Sequence, residues 1–272
     1  MKEMTIDEVK QIQLNILDVV DQFCSKFGIR YSMAYGTLLG AIRHKGYIPW
    51  DDDVDLIMPR PDYERFIHTF NAYSENYYVI APELNWDYYA PYANVCDKRT
   101  LLVEGISTHR GIEIGAKIDI FPMDGVPTDN REYLKEATRM QFYRRALNHK
   151  RGSLRKIFTT SFGVYIRRLF FRIITCYMSY SDIQKKIHRL ATSYSFEEME
   201  YADVMVFNLH FATRCKSSVF KETQKMQFED REYEAIIAYD DFLHIVYGDY
   251  MMLPPEKSRK SNHALCSHFW KD

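Results

Sequence analysis

The sequence has little cysteine, and what it has is poorly arranged for cross-linking. Cys24, Cys96, Cys176, Cys215 and Cys266 are five in number, widely spaced, and form no Cys-x-x-Cys pair. An odd, scattered set argues against a disulfide framework and against structural zinc, and fits reduced thiols in the cytoplasm. Net charge is nearly absent, at −1 over 272 residues, so the overall balance points to no partner. The N-terminal MKEMTIDEVKQIQ is polar and is read as carrying no leader peptide. There is no internal repeat and no low-complexity linker. The longest apolar stretch, Ile157 to Met178, is broken by Arg167, Arg168 and Arg172. Each central Arg costs about 2.5–3.5 kcal/mol on the insertion scale, so a membrane span is not expected.

What is present belongs to a globular protein, with 46% hydrophobic and 27% charged residues. Aromatics reach 15%, with 21 Tyr, which suits stacking on sugars or bases. The near-neutral total hides a basic block. Between Arg139 and Leu190 thirteen Lys or Arg face one acid, Asp182. Such a block marks an interaction surface.

The densest chemistry lies in Gly36 to Arg60, GTLLGAIRHKGYIPWDDDVDLIMPR. Asp51, Asp52, Asp53 and Asp55 crowd into an otherwise apolar run. Val54, Leu56 and Met58 alternate with Asp53, Asp55 and Ile57, the period of a strand. On a strand Asp53 and Asp55 project to one face, where the carboxylates repel unless a cation lies between them. Mg²⁺, a hard ion that shares its shell with water and phosphates, is the expected cofactor, with Mn²⁺ as a substitute. At the other end, Gly36 lets a backbone approach a phosphate. A helix expected after Thr37, over Leu38–Arg43, would offer free N–H groups as an anion site. Arg43, His44 and Lys45 lie between the turn and the acids, placed either to hold phosphates or as a solvated basic turn. Trp50 can stack on a base or cover the site.

Farther on, Asp119 sits between Ile118 and Ile120 in Lys117–Phe121, read as a second acidic strand that Pro122 ends. Met123–Pro127, with Asp124, reads as a turn-rich loop. A third carboxylate would complete a triad of Asp53, Asp55 and Asp119. Asp119 is also the group placed to take a proton from an attacking hydroxyl.

The flanking chain supports this core. Thr5 and Glu8 form a capping box for a helix whose apolar positions run from Val9 to Phe27, with Gly28 as its stop. Ile29, Tyr31, Met33 and Tyr35 alternate as a strand. Arg60-Pro61 opens a helix with Tyr63, Phe66, Ile67 and Phe70 on its buried face. Strands are expected at Tyr77–Ala81, within Tyr88–Val95 and at Leu101–Val103. Arg99 can reach a phosphate or lie in solvent. From Asp129 the reading becomes helical. Lys156, Thr160, Gly163, Arg167, Arg172, Thr175 and Ser179 fall on one polar stripe of an apolar helix over 155–180, which suits either burial or a membrane interface. No nucleic-acid motif accompanies the charge, so no nucleic-acid partner is expected. A further helix is read over Tyr233–Tyr247.

Gly36-Thr37, Asp53-Val54-Asp55 and Ile118-Asp119-Ile120 resemble the signature of the LicD family, which includes the fukutin-type proteins. KIDIFPMDG and the C-terminal FED, YGDYM and LPPEK pieces resemble the same family, whereas the middle of the chain does not. The resemblance implies an α+β fold with a polymerase β-like nucleotidyltransferase core. A small mixed sheet, in a catalytic core over 1–128, would carry the aspartates, and a mostly helical region over 129–272 would complete the unit. It implies metal-dependent transfer of phosphocholine, or a related phospho-alcohol, from a CDP-choline-like donor to a glycan or lipid-linked glycan, with CMP leaving. Gly36, Thr37 and the Arg43–Lys45 segment would bind the diphosphate. Glu229, Lys257 and His263 are the C-terminal positions to test. Two other readings use the same residues: a nucleotidyltransferase, or a non-catalytic module that binds nucleotide or membrane. The cytoplasm, including the inner face of the membrane, is the expected location.

Overall fold

A computed structural model of the chain describes residues 1–104, 112–151, 162–207, 214–259 and 266–271. Helix α1, Ile6–Phe27, starts where the sequence places it. The Thr5 hydroxyl accepts the Glu8 N–H at 3.2 Å, and the Glu8 carboxylate accepts the Thr5 N–H at 2.8 Å. Gly28, at φ +60°, closes the helix in the left-handed conformation that glycine adopts without strain. Val9, Ile12, Ile16, Val20 and Phe23 form its buried face. Phe23 packs against Phe66, Phe70 and Tyr73 at ring distances of 5.6, 5.2 and 5.0 Å, which joins α1 to α3, Arg60–Thr69.

The fold is mixed α/β, and its main sheet has the order β2-β3-β7-β5-β4. These strands are β2, Ser32–Met33; β3, Asp55–Pro59; β4, Tyr77–Ile80; β5, Ala93–Asp97; and β7, Lys117–Val126. Strands β3 and β7 are parallel and central; the other pairs in this order are antiparallel. All five residues of β3 are buried, as befits a strand covered on both faces.

Strand β7 corrects one expectation, because Pro122 does not end it. The Asp119 N–H donates to the Val54 carbonyl on the β3 side. By alternation the nitrogen of Pro122 faces the β5 side, where pairing has stopped at Ala93–Ile120. Its missing donor therefore breaks no ladder bond. Asp124 is consequently a buried strand residue and not part of a loop.

The second half carries α4, Asn130–Arg151; α5, Phe162–Ile174; α6, Tyr180–Ala191; and α7, Tyr239–Tyr247. Of the helix expected over 155–180, residues 155–161 lie outside the described residues. This half also adds strands. Strand β8, Tyr201–Asp203, extends the sheet by pairing with the end of β7 and with β9, Cys215–Lys216. Strands β10, Thr223–Phe228, and β11, Arg231–Ile236, form a hairpin with Glu229 and Asp230 at its turn. The helix expected from Tyr233 thus begins only at Tyr239. Tyr233 and Ala235 are buried while Glu232 is exposed, a period of two inside what looked helical. Strand β12, Cys266–Trp270, lies between β1, Lys2–Glu3, and β6, Thr100–Glu104. The two ends of the chain are thereby brought together beside the site.

Candidate active site

Strand register builds the centre of the site. Asp55 on β3 is the direct partner of Asp119 on β7. In-register residues on neighbouring strands project to one face, so the two carboxylates lie side by side. The backbone of Asp55 is pinned twice: its N–H donates to the Thr37 hydroxyl at 2.8 Å, and its carbonyl accepts the Ala34 N–H at 2.9 Å. Asp119 Oδ1 accepts from the Asn94 amide and the Lys117 ammonium, and Tyr88 in turn donates to Asn94 Oδ1.

The charges in this site are unbalanced. Burial, followed by Asp53, Asp119 and Asp51, holds the Asp55 carboxyl well above the usual carboxylate range, against the pull of Lys117. Burial and then Asp55, Asp51 and Asp53 likewise push up the hydroxyl of Tyr247, a neighbour that the sequence did not single out. A compact set of carboxylate oxygens with one ammonium among them suits a hard divalent cation. Asp53 belongs to this group but not to the strand: β3 begins at Asp55, and Asp53 lies in the irregular segment before it. The expected one-face pairing of Asp53 and Asp55 on a strand therefore gives way to the pairing of Asp55 with Asp119.

Two cavities flank the acids. The larger, about 520 Å³, is lined by Gly36, Arg43, Trp50, Asp51, Tyr247 and Asp249 among others. The smaller, about 300 Å³, is lined by Asp52, Asp53, Lys117, Asp119, Tyr89 and Tyr92, with Glu3 and His268 from the β1–β12 pair. The acidic turn thus serves both, Asp51 on one side and Asp52 and Asp53 on the other. Helix α6 holds the wall of the smaller cavity. Tyr180 donates to the Tyr89 carbonyl at 2.6 Å, and Gln184 donates to the carbonyls of Tyr88 and Ala90.

Helix α2, Tyr35–Arg43, begins earlier than the sequence suggested, so Gly36 and Thr37 form its first turn. A Cβ on Gly36 would lie 2.5 Å from the Asp51 carboxylate, so a larger residue here would push that acid back from the turn. Thr37 is buried and committed to Asp55, which makes its hydroxyl a tether for the strand. Arg43 donates to the Tyr250 carbonyl at 2.7 Å and to His44 Nε2 at 3.0 Å. Burial and then Arg43 hold the His44 imidazole below its usual range, consistent with its acceptor role. Trp50 meets His44 edge-on at 6.2 Å and carries the Arg259 guanidinium over its ring at 5.5 Å. Arg259 lies two residues past LPPEK, but nothing in the sequence links it to Trp50.

The remaining candidates fall elsewhere. Lys45 has φ +62° and its carbonyl accepts the Glu229 N–H at 2.7 Å. Glu229 accepts the Tyr47 N–H at 2.8 Å, so it straps the hairpin turn to the segment after α2. Arg99 pairs with the buried Asp97 at 2.5 Å, beyond Asn94 on β5, and lines neither cavity. Lys257 is exposed on a short 3-10 helix, Glu256–Ser258, and lines neither cavity. His263 lies outside the described residues.

Glu64, Glu83 and His188 form another group whose ligand atoms lie within 4.8 Å of one another. Arg60 donates to both of these carboxylates at 3.2 Å, so a cation is already built in.

The profile of the LicD/FKTN/FKRP nucleotidyltransferase domain matches residues 28–163, half of the chain, and spans Gly36, Asp53, Asp55 and Asp119. The chain belongs to the LicD family, and in class it is a LicD-like phosphotransferase. It is 28% identical to the lipopolysaccharide cholinephosphotransferase LicD of Haemophilus influenzae, over 97% of each chain. It is also 40% identical to an uncharacterized protein of Rickettsia typhi over 57 residues, 21% of this chain and 18% of that one.

Proposed function

We propose that this protein transfers phosphocholine, or a closely related phospho-alcohol, from a CDP-linked donor to a hydroxyl of a cell-surface glycan precursor. The observation that carries the reading is the in-register pair Asp55 and Asp119, set where the acidic turn borders two cavities. Similarity to a lipopolysaccharide cholinephosphotransferase along nearly the whole chain supports the choice of group.

In this scheme the larger cavity takes the nucleotide, with Trp50 against the base and Arg43 and the first turn of α2 toward the diphosphate. The smaller cavity takes the acceptor and the alcohol. The acceptor oxygen attacks the phosphorus that bears the alcohol, the bond from that phosphorus to the CMP oxygen breaks, and CMP leaves. Asn94 and Lys117 occupy Asp119 Oδ1, so Oδ2 is the atom that receives the proton of the attacking hydroxyl. Asn94 and Tyr88 hold that carboxylate in place. Bound by Asp53, Asp55 and Asp119, Mg²⁺ or Mn²⁺ would neutralise charge between the carboxylates and the donor phosphates. A CDP-linked donor and reduced thiols both fit the cytoplasm.

Product analysis tests the proposal. CDP-choline labelled in the choline, incubated with an envelope glycan precursor, should give CMP and labelled glycan in equal amounts. Incorporation of label from the nucleoside instead, with pyrophosphate released from a nucleoside triphosphate, would establish nucleotidyl transfer and overturn it.

A further inference from the structure

We infer that the outer face of α5 docks on an anionic lipid surface. Ile166, Leu169, Phe170, Ile173 and Tyr177 are 46, 42, 55, 60 and 81% exposed. Their spacing places the four on α5 on a single stripe roughly 100° wide, and Tyr177, just beyond the helix end, continues it. The opposite side is already anchored. Phe171 is buried and meets Phe142 and His149 at ring distances of 5.6 and 5.0 Å, and Thr175 and Met178 are buried beside it. Thr175 donates to the Phe171 carbonyl, so the polar stripe expected from the sequence is partly an inner one. The fold therefore fixes α5 by one face and leaves a second apolar face outward, which packing does not require.

The charge of this segment points to the occupant. Arg167 is exposed at the edge of the stripe, and α6, the next helix along the chain, carries the exposed Lys185, Lys186 and Arg189. A second copy of the chain would bring two such basic segments together. Nucleic acid would satisfy the charge but would leave aliphatic and aromatic side chains in water. An anionic bilayer surface meets both, with the apolar stripe in the acyl boundary and the basic groups at the headgroups. Thirteen residues of helix span roughly 20 Å, short of the roughly 30 Å hydrocarbon core, so α5 would lie in the plane of the interface. No helix among the described residues is long and apolar enough to cross a membrane.

Co-sedimentation of the full chain with vesicles, without any substrate, tests this independently of the transfer reaction. Vesicles of phosphatidylcholine with phosphatidylglycerol should bind the protein at least about tenfold better than phosphatidylcholine alone, and high salt should weaken binding. Phe170→Glu with Ile173→Glu should lower binding about tenfold or more, and Arg167→Glu should lower it by a similar factor. Ile237→Glu, at an exposed apolar residue elsewhere, should bind like the wild type. Unchanged melting temperatures would show that the variants fold. Absence of binding by the wild type, or equal binding by the double variant, would overturn the inference. So would a wild-type dimer that ignores vesicles and becomes a monomer in the double variant, because the face would then join two copies.

Discussion

Asp119 and Asp124 stand five residues apart on β7, which by alternation places them on opposite faces of the sheet, and their surroundings differ sharply. Asp124 is fully buried and meets the Arg60 guanidinium through two contacts, at 2.6 and 3.1 Å. Asp119 shares its face with Asp55 and, with Asp53 and the Lys117 ammonium, lines the smaller cavity. A buried carboxylate with a fixed cationic partner is part of the scaffold. Several carboxylates crowded round one ammonium beside a cavity are the arrangement that the proposed reaction requires.

The sharpest way to break this comparison is to neutralise one acid on each face. Asp55→Asn should lower the transfer rate by at least about 10²–10³-fold, read as CMP release, without lowering the melting temperature. It removes a carboxylate crowded by its neighbours, so stability should hold or rise. Asp124→Asn should do the reverse. It removes the two Asp124 contacts from the buried Arg60, which keeps Glu64 and Glu83, and should cost about 1–3 kcal/mol in urea unfolding, with activity per folded molecule retained.

The pH dependence sharpens the same contrast. Burial pushes the Asp124 carboxyl up to about 6 from 3.8, against the pull of Arg60. Between those values the folded chain binds a proton that the unfolded chain has lost. The contribution of this group to stability therefore falls as pH rises from about 4 to about 6, and is flat above. The difference in unfolding free energy between the wild type and Asp124→Asn should change across that window by up to roughly 3 kcal/mol. A constant difference would contradict the assignment.

Smaller effects are expected from the tether and the rim. Thr37→Val removes the acceptor of the Asp55 N–H, which should cost about 1 kcal/mol and reduce transfer several-fold, with Thr37→Ser restoring both. Lys257→Ala should change neither the melting temperature nor the KM for the donor.

The sequence was most informative where one local rule decided the outcome. The Thr5–Glu8 box and Gly28 mark the ends of α1, and apolar neighbours mark Asp55 and Asp119 as unusual acids. It was silent on pairing between distant segments. Nothing local says that Asp55 aligns with Asp119, that β12 returns to lie between β1 and β6, or that Arg259 covers Trp50. It misled where a residue's local habit was overruled by its neighbours. Pro122 stays in β7 because its nitrogen faces an unpaired edge. Asp124 reads as a loop acid until Arg60 is seen beside it.

The central claim is best tested by CMP release from CDP-choline with Mg²⁺ and envelope glycan, run in parallel on the wild type, Asp53→Ala, Asp55→Asn and Asp124→Asn. Release by the wild type that requires metal and acceptor, is lost in Asp53→Ala and Asp55→Asn, and persists in folded Asp124→Asn is the expected result. Release that survives in Asp55→Asn would contradict it, because the paired carboxylates would then not be the seat of the reaction.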